Sequence, residues 1–160
     1  MLMAGDLALR RAVDADMDAV VAVQQAAYAR NRALLGVEPL PLLSDYAEIF
    51  RDYEVWVTAN GAITGVLILE PRPADLLIWS IAADPQAQQG GLGRAMLGAA
   101  EVRARELGLG TMRLYTGSPL RHLIDWYGRN GYAIERNEVL SDRTIVHMVK
   151  HLDAGSSKVD

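Results

Sequence analysis

The chain contains no cysteine, which excludes a disulfide framework, a zinc site built on cysteine and a thiol nucleophile. It has no excess of positive charge either, since 16 lysines and arginines stand against 20 aspartates and glutamates, a formal net charge of −4. General affinity for nucleic acids is therefore not expected, because it needs a basic surface that displaces counterions. The three histidines show no spacing typical of metal ligands, so we expect no metal site.

Long hydrophobic runs are absent too. No apolar stretch approaches the ~20 residues that cross a membrane as a helix. A signal peptide has a basic region followed by an apolar stretch. The first residues of the chain lack this pattern. We therefore expect a cytoplasmic protein with no membrane partner. At 160 residues, of which 51% are hydrophobic, the chain is long enough for one domain with its own core.

Hydrophobic periodicity predicts one mixed α/β domain over residues 7–152 and a flexible polar tail over residues 153–160. The domain is expected to have a sheet of about six to seven strands flanked by helices. The predicted strands are residues 7–12, 54–59, 62–70, 76–83, 112–116, 132–138 and 144–150, and the main predicted helices are residues 17–28, 92–107 and 119–130.

Two local patterns add detail to this scheme. The pair Asn60-Gly61 predicts a two-residue hairpin turn, because such turns need positive φ. Residues 31–52 are less regular and are expected to form a variable lid, in which Ser44 caps a short helix. Apolar residues occupy almost every position from Leu76 to Ala83, as in a central strand that is covered on both faces.

A glycine-rich turn follows that central strand and opens a helix. The amides from Gln89 to Arg94 are expected at the positive end of the helix, where glycines let an anion approach the backbone. This pattern predicts a cradle for a phosphate or pyrophosphate, although an ordinary strand–helix turn has the same spacing. A Walker loop and a dinucleotide fingerprint both fit poorly, because Gly93 is followed by Arg94-Ala95-Met96.

Two segments of the chain match motifs of one protein family. They are Gln88-Gln89-Gly90-Gly91-Leu92-Gly93 and residues 125–132 (DWYGRNGY). The first resembles the signature Q/R-x-x-G-x-G/A of the GNAT superfamily of N-acetyltransferases, and the second resembles the segment that ends the domain of that family. The motifs occur in the family's order and spacing, and the resemblance extends over about residues 7–152. It implies the GNAT fold, with a splayed central sheet, and acetyl-CoA as cosubstrate.

The resemblance also implies roles for single residues. The backbone of Ile81 and Ala83, with Ala82 between them, is expected to hydrogen-bond the pantetheine arm, and Tyr127 is expected to protonate the departing thiolate as a general acid. A core aromatic is the alternative role for Tyr127. The residues expected to bind the cofactor are Ile81, Ala82, Ala83, Gln88, Gln89, Gly90, Gly91, Leu92, Gly93 and Arg94.

The sequence departs from the family pattern at two places. Leu120 and Leu123 occupy the turns where many relatives have an asparagine that contacts CoA, and residues 78–80 contain no carboxylate, where relatives often have a glutamate. The position of a general base is therefore left open. The candidates, which the sequence does not rank, are Glu38, Glu70, Asp75, Tyr115 and a chain of water molecules.

We therefore expect an acetyl-CoA-dependent N-acetyltransferase whose acceptor, a primary amine of a small molecule or peptide, attacks the thioester directly. A homodimer is possible. The alternatives are a non-catalytic acyl-CoA-binding or sensory module of the same fold and an unrelated nucleotide-binding protein. Residues 28–53 are expected to line the acceptor site. With Glu54 at the far edge, this segment has five acidic residues against three arginines, so a small cationic amine is slightly favoured.

Overall fold

A computed structural model describes residues 1–153 of the chain. Its centre is a sheet of eight strands in the order β1-β2-β3-β4-β5-β6-β8-β7, in which β5 and β6 run parallel and every other neighbouring pair is antiparallel. The strands are β1 (Leu2–Ala4), β2 (Leu7–Arg11), β3 (Glu54–Thr58), β4 (Gly65–Pro71), β5 (Leu76–Ala83), β6 (Thr111–Gly117), β7 (Ala133–Val139) and β8 (Thr144–His151).

Within residues 1–153, five α-helices cover the sheet: α1 (Met17–Leu35), α2 (Leu40–Leu43), α3 (Tyr46–Asp52), α4 (Leu92–Glu106) and α5 (Arg121–Arg129). One hydrophobic core lies between the sheet and α1 with α3, where Val20 and Ile49 pack on Val57 and Ile68. The second core lies on the opposite face, under α4. The central strands therefore face a core on both sides, which explains why β5 is apolar at almost every position.

The sheet splays apart between β5 and β6. These strands pair over only three positions, from Leu76 with Met112 to Ile78 with Leu114, whereas β5 pairs with β4 as far as Ala83. Beyond Ile78 the two parallel strands separate, and a cleft opens between them. The expected splayed α/β sheet is confirmed, and this opening positions the candidate site.

The sheet has eight strands rather than six to seven. The additional strand is β1, which pairs with β2 through a tight turn at Gly5, where φ is 57°. Of the predicted tail only Asp153 is described, and residues 154–160 lie outside the described residues. Within residues 1–153, no helix combines the length and the apolar character needed to cross a membrane.

Three local predictions are wrong for identifiable reasons. The β3–β4 connection is longer than a two-residue turn, because the Thr58 hydroxyl accepts a hydrogen bond from the Thr64 amide at 2.9 Å and closes a wider loop. Helix α3 is capped by Asp45, whose carboxylate accepts from the Ala47 amide at 2.9 Å, and not by Ser44. Helix α1 continues seven residues past its predicted end and stops at Gly36, which is left-handed with φ of 72°.

Candidate active site

A cleft of about 680 Å³ occupies the opening between β5 and β6. Its walls come from α1, the Pro39–Pro41 segment, the two parting strands, the start of α4 and α5. Gly90 and Leu92 flank the lining, and Leu120 and Leu123 form part of an apolar wall. The structure brings seven of the predicted site residues into the lining: Ile81, Ala82, Ala83, Gly91, Gly93, Arg94 and Tyr127.

The first turn of α4 opens into this cleft. Gly91 is its N-cap, with a left-handed φ of 76°, and the first helical hydrogen bond runs from the Ala95 amide to the Gly91 carbonyl at 3.0 Å. The amides of Leu92, Gly93 and Arg94 precede that bond, so they lack a partner within the helix. No atom lies within 4 Å of the place where a Cβ of Gly91 would be. This open, electropositive helix start fits a phosphate group.

The residues before Gly91 differ from the loop that the sequence predicts. Pro85–Gly90 forms a 3-10 helix, which contains Gln88, Gln89 and Gly90. Its cap is Asp84, whose carboxylate accepts a hydrogen bond from the Gln86 amide at 2.9 Å. The 3-10 helix connects the end of β5 to the start of α4.

Tyr127 lies on α5 with its ring half-buried against two other aromatic rings, Trp126 at 5.1 Å and Tyr132 at 6.0 Å between centroids. Its hydroxyl makes no hydrogen bond within residues 1–153. Burial raises the pKa of the Tyr127 phenol, and the neighbouring Tyr28 raises it further. The phenol is therefore protonated at neutral pH and able to donate a hydrogen bond into the cleft.

A buried hydrogen-bonded network that sequence reasoning missed forms another wall of the cleft. The Tyr28 and Ser80 hydroxyls are 2.9 Å apart, and the Gln24 amide nitrogen donates to Ser80 at 3.0 Å and to the Tyr46 hydroxyl at 2.9 Å. Tyr46 in turn donates to the Pro41 carbonyl at 2.8 Å. Burial raises the pKa of Tyr28 to about 12, although its hydrogen bond with Ser80 acts in the opposite direction. One signal was available, since Gln24 and Tyr28 are polar residues four apart on an otherwise apolar helix face.

The structure distinguishes among the four residues that are predicted as candidates for the general base. Asp75 receives hydrogen bonds from Arg72 at 2.6 Å and 2.9 Å and from Arg113 at 2.7 Å, which together hold its pKa below the usual range. Glu38 pairs with Arg32 at 2.7 Å. Of the four candidates, Glu38, Glu70, Asp75 and Tyr115, only Tyr115 lines the cleft. Burial raises the pKa of Tyr115 to about 12.

The cleft lining has an unexpected charge. Within the described residues 1–153, no aspartate or glutamate lines it. Four arginines do, together with His122 and the buried Asn31. None of the five acidic residues in residues 28–54 lines the cleft. The number of acidic residues in that segment therefore gave a wrong prediction of the charge of the cleft. The arginines are Arg30, Arg94, Arg129 and Arg143.

Residues 20–132 match the family model described as "Acetyltransferase (GNAT) family". The chain belongs to this family. The matched residues contain both motifs, around Gly91 and Tyr127, and the match excludes an unrelated nucleotide-binding protein.

Individual relatives agree with this GNAT assignment. The uncharacterized N-acetyltransferase YvbK of Bacillus subtilis (strain 168) is 28% identical over 95 residues, which are 59% of this chain and 60% of that relative's length. The ribosomal-protein-S18-alanine N-acetyltransferase of Escherichia coli has a similar fold, with a TM-score of 0.73 at 20% identity over 91% of this chain and 94% of that one.

A third relative has been solved with a ligand. The PaiA N-acetyltransferase of Thermoplasma acidophilum, in complex with coenzyme A, gives a TM-score of 0.71 at 16% identity over 91% of this chain and 99% of that one. At these identities the solved structures establish the shared fold. The roles of the individual site residues in this chain are argued from its own geometry.

Proposed function

We propose that the protein transfers the acetyl group of acetyl-CoA to a primary amine of a small molecule or peptide by direct attack. The observation that supports this most strongly is that the open start of α4 and Tyr127 line one cleft. An anion cradle and a proton donor are the two parts that a thioester-dependent transfer needs at the cosubstrate end.

The cosubstrate would lie along β5 and end at α4. Beyond Ile78 the cleft side of β5 has no neighbouring strand among the described residues, which leaves room for an extended arm beside Ile81 in the manner of an added strand. Ala82 and Ala83 continue this edge. The amides at the start of α4, preceded by Gln88, Gln89 and Gly90, would hold the pyrophosphate, with Arg94 adding positive charge.

Acetyl-CoA supplies an acyl group already activated as a thioester. In the transfer, the amine nitrogen forms the new bond to the acyl carbon, the carbon–sulfur bond breaks, and the nitrogen loses a proton. Tyr127 would donate a hydrogen bond, and in the end a proton, to the leaving sulfur, and solvent, which receives the amine proton, would return a proton to Tyr127. Because burial raises its pKa further above that of a thiol, near 8.5, the effect of Tyr127 is expected at the low end of the ~10²–10⁴-fold range for general acids.

The amine proton has no carboxylate to receive it in the described lining. We propose that the amine enters neutral and releases its proton to water after the attack. Turnover should then rise with pH as the free-amine fraction of the acceptor increases, and level off above the acceptor's own pKa.

The same absence of a carboxylate favours a second candidate, an acyl-CoA-binding or sensory module without catalysis. A thiol-release screen over amines, amino acids, aminoglycosides and N-terminal peptides separates the two, provided that acetyl-CoA binding is measured by calorimetry in parallel. Binding together with CoA release supports the transferase. Binding without release on any acceptor supports the module, and no binding contradicts both.

Thermal unfolding provides an independent check on cosubstrate choice. A ligand that binds only the folded state at a hundredfold excess over its Kd stabilises that state by about 2.7 kcal/mol. For a domain of this size that stabilisation raises Tm by several degrees. Acetyl-CoA should produce the rise and NAD should not, whereas equal rises would contradict the proposed function.

A further inference from the structure

The arginines of the cleft fall into two groups. Arg94 and Arg129 lie on α4 and α5, the helices that flank the proposed acetyl-CoA site. Arg30 and Arg143 lie elsewhere, on α1 and in the turn between β7 and β8. With no carboxylate in the described lining, guanidinium N–H groups at this second end remain available to a ligand other than the cosubstrate.

Asn31 is a buried polar side chain at this second end without a protein partner. It lines the cleft, is only 8% exposed, and its amide makes no hydrogen bond within residues 1–153. Within residues 1–153, the Tyr132 hydroxyl is the only fully enclosed side-chain polar atom without a hydrogen-bond partner. The Asn31 amide is therefore not fully enclosed. Burying an amide without a partner costs free energy, so the open face of Asn31 is suited to a polar ligand group.

Arg143 is the second component. Its side chain is only 8% exposed, and its guanidinium donates to the Glu38 carbonyl at 2.8 Å and to both Asp142 carboxylate oxygens at 3.1 Å and 3.0 Å. Asp142 is 52% exposed and does not line the cleft. A guanidinium has five N–H groups, so two remain after these three bonds, held in a fixed orientation.

Packing brings Asn31 and Arg143 to the same end of the cleft. Leu35 lies one helical turn after Asn31, on the same face of α1, and its side chain packs directly over Gly117 at the end of β6. The next residue, Ser118, donates its amide to the Thr144 carbonyl at 2.9 Å, next to Arg143. Both polar groups therefore border the region beyond the paired part of β5 and β6.

We infer that the acceptor is a small amino carboxylic acid, whose carboxylate is bound by the Asn31 amide and the Arg143 guanidinium while its amine points toward the thioester. This inference rests on the proposed function and narrows its acceptor class. A guanidinium and an amide donor are the pair that recognises a carboxylate with geometric specificity. The same lining disfavours a polycationic amine, which would meet two arginines and no carboxylate of the lining, since Asp142, the partner of Arg143, does not line the cleft.

The test compares amino acids with their carboxamides, which keep the amine and lose the charge. CoA release is measured for each pair at pH values that give equal free-amine fractions. In the wild-type protein kcat/KM for the acids should exceed that for the amides by about tenfold or more, the typical effect of a hydrogen bond to a charged group. Asn31→Leu and Arg143→Gln should bring the ratio close to one while leaving the calorimetric Kd of acetyl-CoA unchanged.

Two further variants keep the test decisive if Arg143→Gln fails to fold. Asn31→Asp places a carboxylate in the wall and should reverse the preference, so that amides exceed acids. Arg105→Gln removes the same charge from an exposed position of α4 outside the cleft and should leave the acid-to-amide ratio as in the wild type.

The possible outcomes are distinguishable. Equal use of acids and amides by the wild type, or a loss in the Asn31 variants that is the same for both, overturns the carboxylate site. If neither is acetylated, binding of each to the CoA-saturated protein is measured by thermal shift, and equal shifts overturn it as well. Failure of acetyl-CoA itself to bind contradicts the proposed function instead.

Discussion

Tyr28 on α1 and Ser80 on β5 join their hydroxyls at 2.9 Å, although 52 residues separate them in the chain. Gln24, one turn before Tyr28 and fully buried, bonds to the same serine. These two hydrogen-bonded contacts link α1 to β5, the strand at which the sheet begins to splay. Tyr28 and Tyr127 both line the cleft, so this network connects the stability of the fold to the geometry of the candidate site.

Ser80→Ala removes the shared partner of Gln24 and Tyr28 and leaves buried polar atoms with fewer hydrogen bonds. We expect a loss of about 1–3 kcal/mol in the free energy of unfolding, measured by urea denaturation. Ser141→Ala, at an exposed turn position, is the matched control and should change stability by less than about 0.5 kcal/mol. Equal effects of the two substitutions would show that the network does not stabilise the fold.

Asp75→Asn tests whether this carboxylate is structural or a general base. It should lower stability by about 1–3 kcal/mol at pH 7, because Arg72 and Arg113 lose hydrogen bonds to a charged partner, and it should leave turnover within about twofold of wild type. The folded-state pKa of Asp75 is depressed, so the stability it contributes is present above its unfolded pKa of about 3.9 and is lost as pH falls through the lower folded value.

The stability difference between wild type and Asp75→Asn should therefore be constant between pH 5 and 8 and decrease below about pH 4. Denaturation curves at several pH values measure it. A large loss of turnover in a variant that is as stable as wild type would instead identify Asp75 as catalytic.

Features that depend on local sequence patterns could be predicted, whereas features that depend on tertiary contacts could not. Strand β5 was predicted with its correct ends, and α4 with its correct start, because a continuous apolar run and a Gly91-x-Gly93 turn are local patterns. The charge of the cleft was not predictable from residues 28–54. Glu54, for example, pairs with Arg103, 49 residues away, and such pairings depend on the tertiary fold.

Gly93→Val tests the anion cradle at the start of α4. A Cβ at Gly93 would make only an ordinary contact of 3.7 Å with Trp126, so the helix should remain folded while the branched side chain enters the cleft beside the amides. We expect the calorimetric Kd of acetyl-CoA to rise by at least about tenfold. Gly91 is a less clear position, because its left-handed φ strains any larger residue.

The matched control is Gly128→Val, at an exposed position of α5 where a Cβ meets no atom within 4 Å. It should leave the Kd of acetyl-CoA as in the wild type. A Gly93→Val protein that is folded and binds acetyl-CoA with unchanged affinity would show that the pyrophosphate does not lie at this helix start.

Tyr127 is proposed as the proton donor to the leaving sulfur, and Tyr127→Phe tests this claim, because the substitution removes only a hydroxyl and keeps the ring packed between Trp126 and Tyr132. With an acceptor found in the screen, kcat should fall by about 10²-fold, with the Kd of acetyl-CoA unchanged. The ratio should be constant from pH 7 to 9, since burial keeps the phenol protonated throughout that range. A Phe variant that releases CoA at the wild-type rate at pH 7 would contradict the claim and make Tyr127 a packing residue.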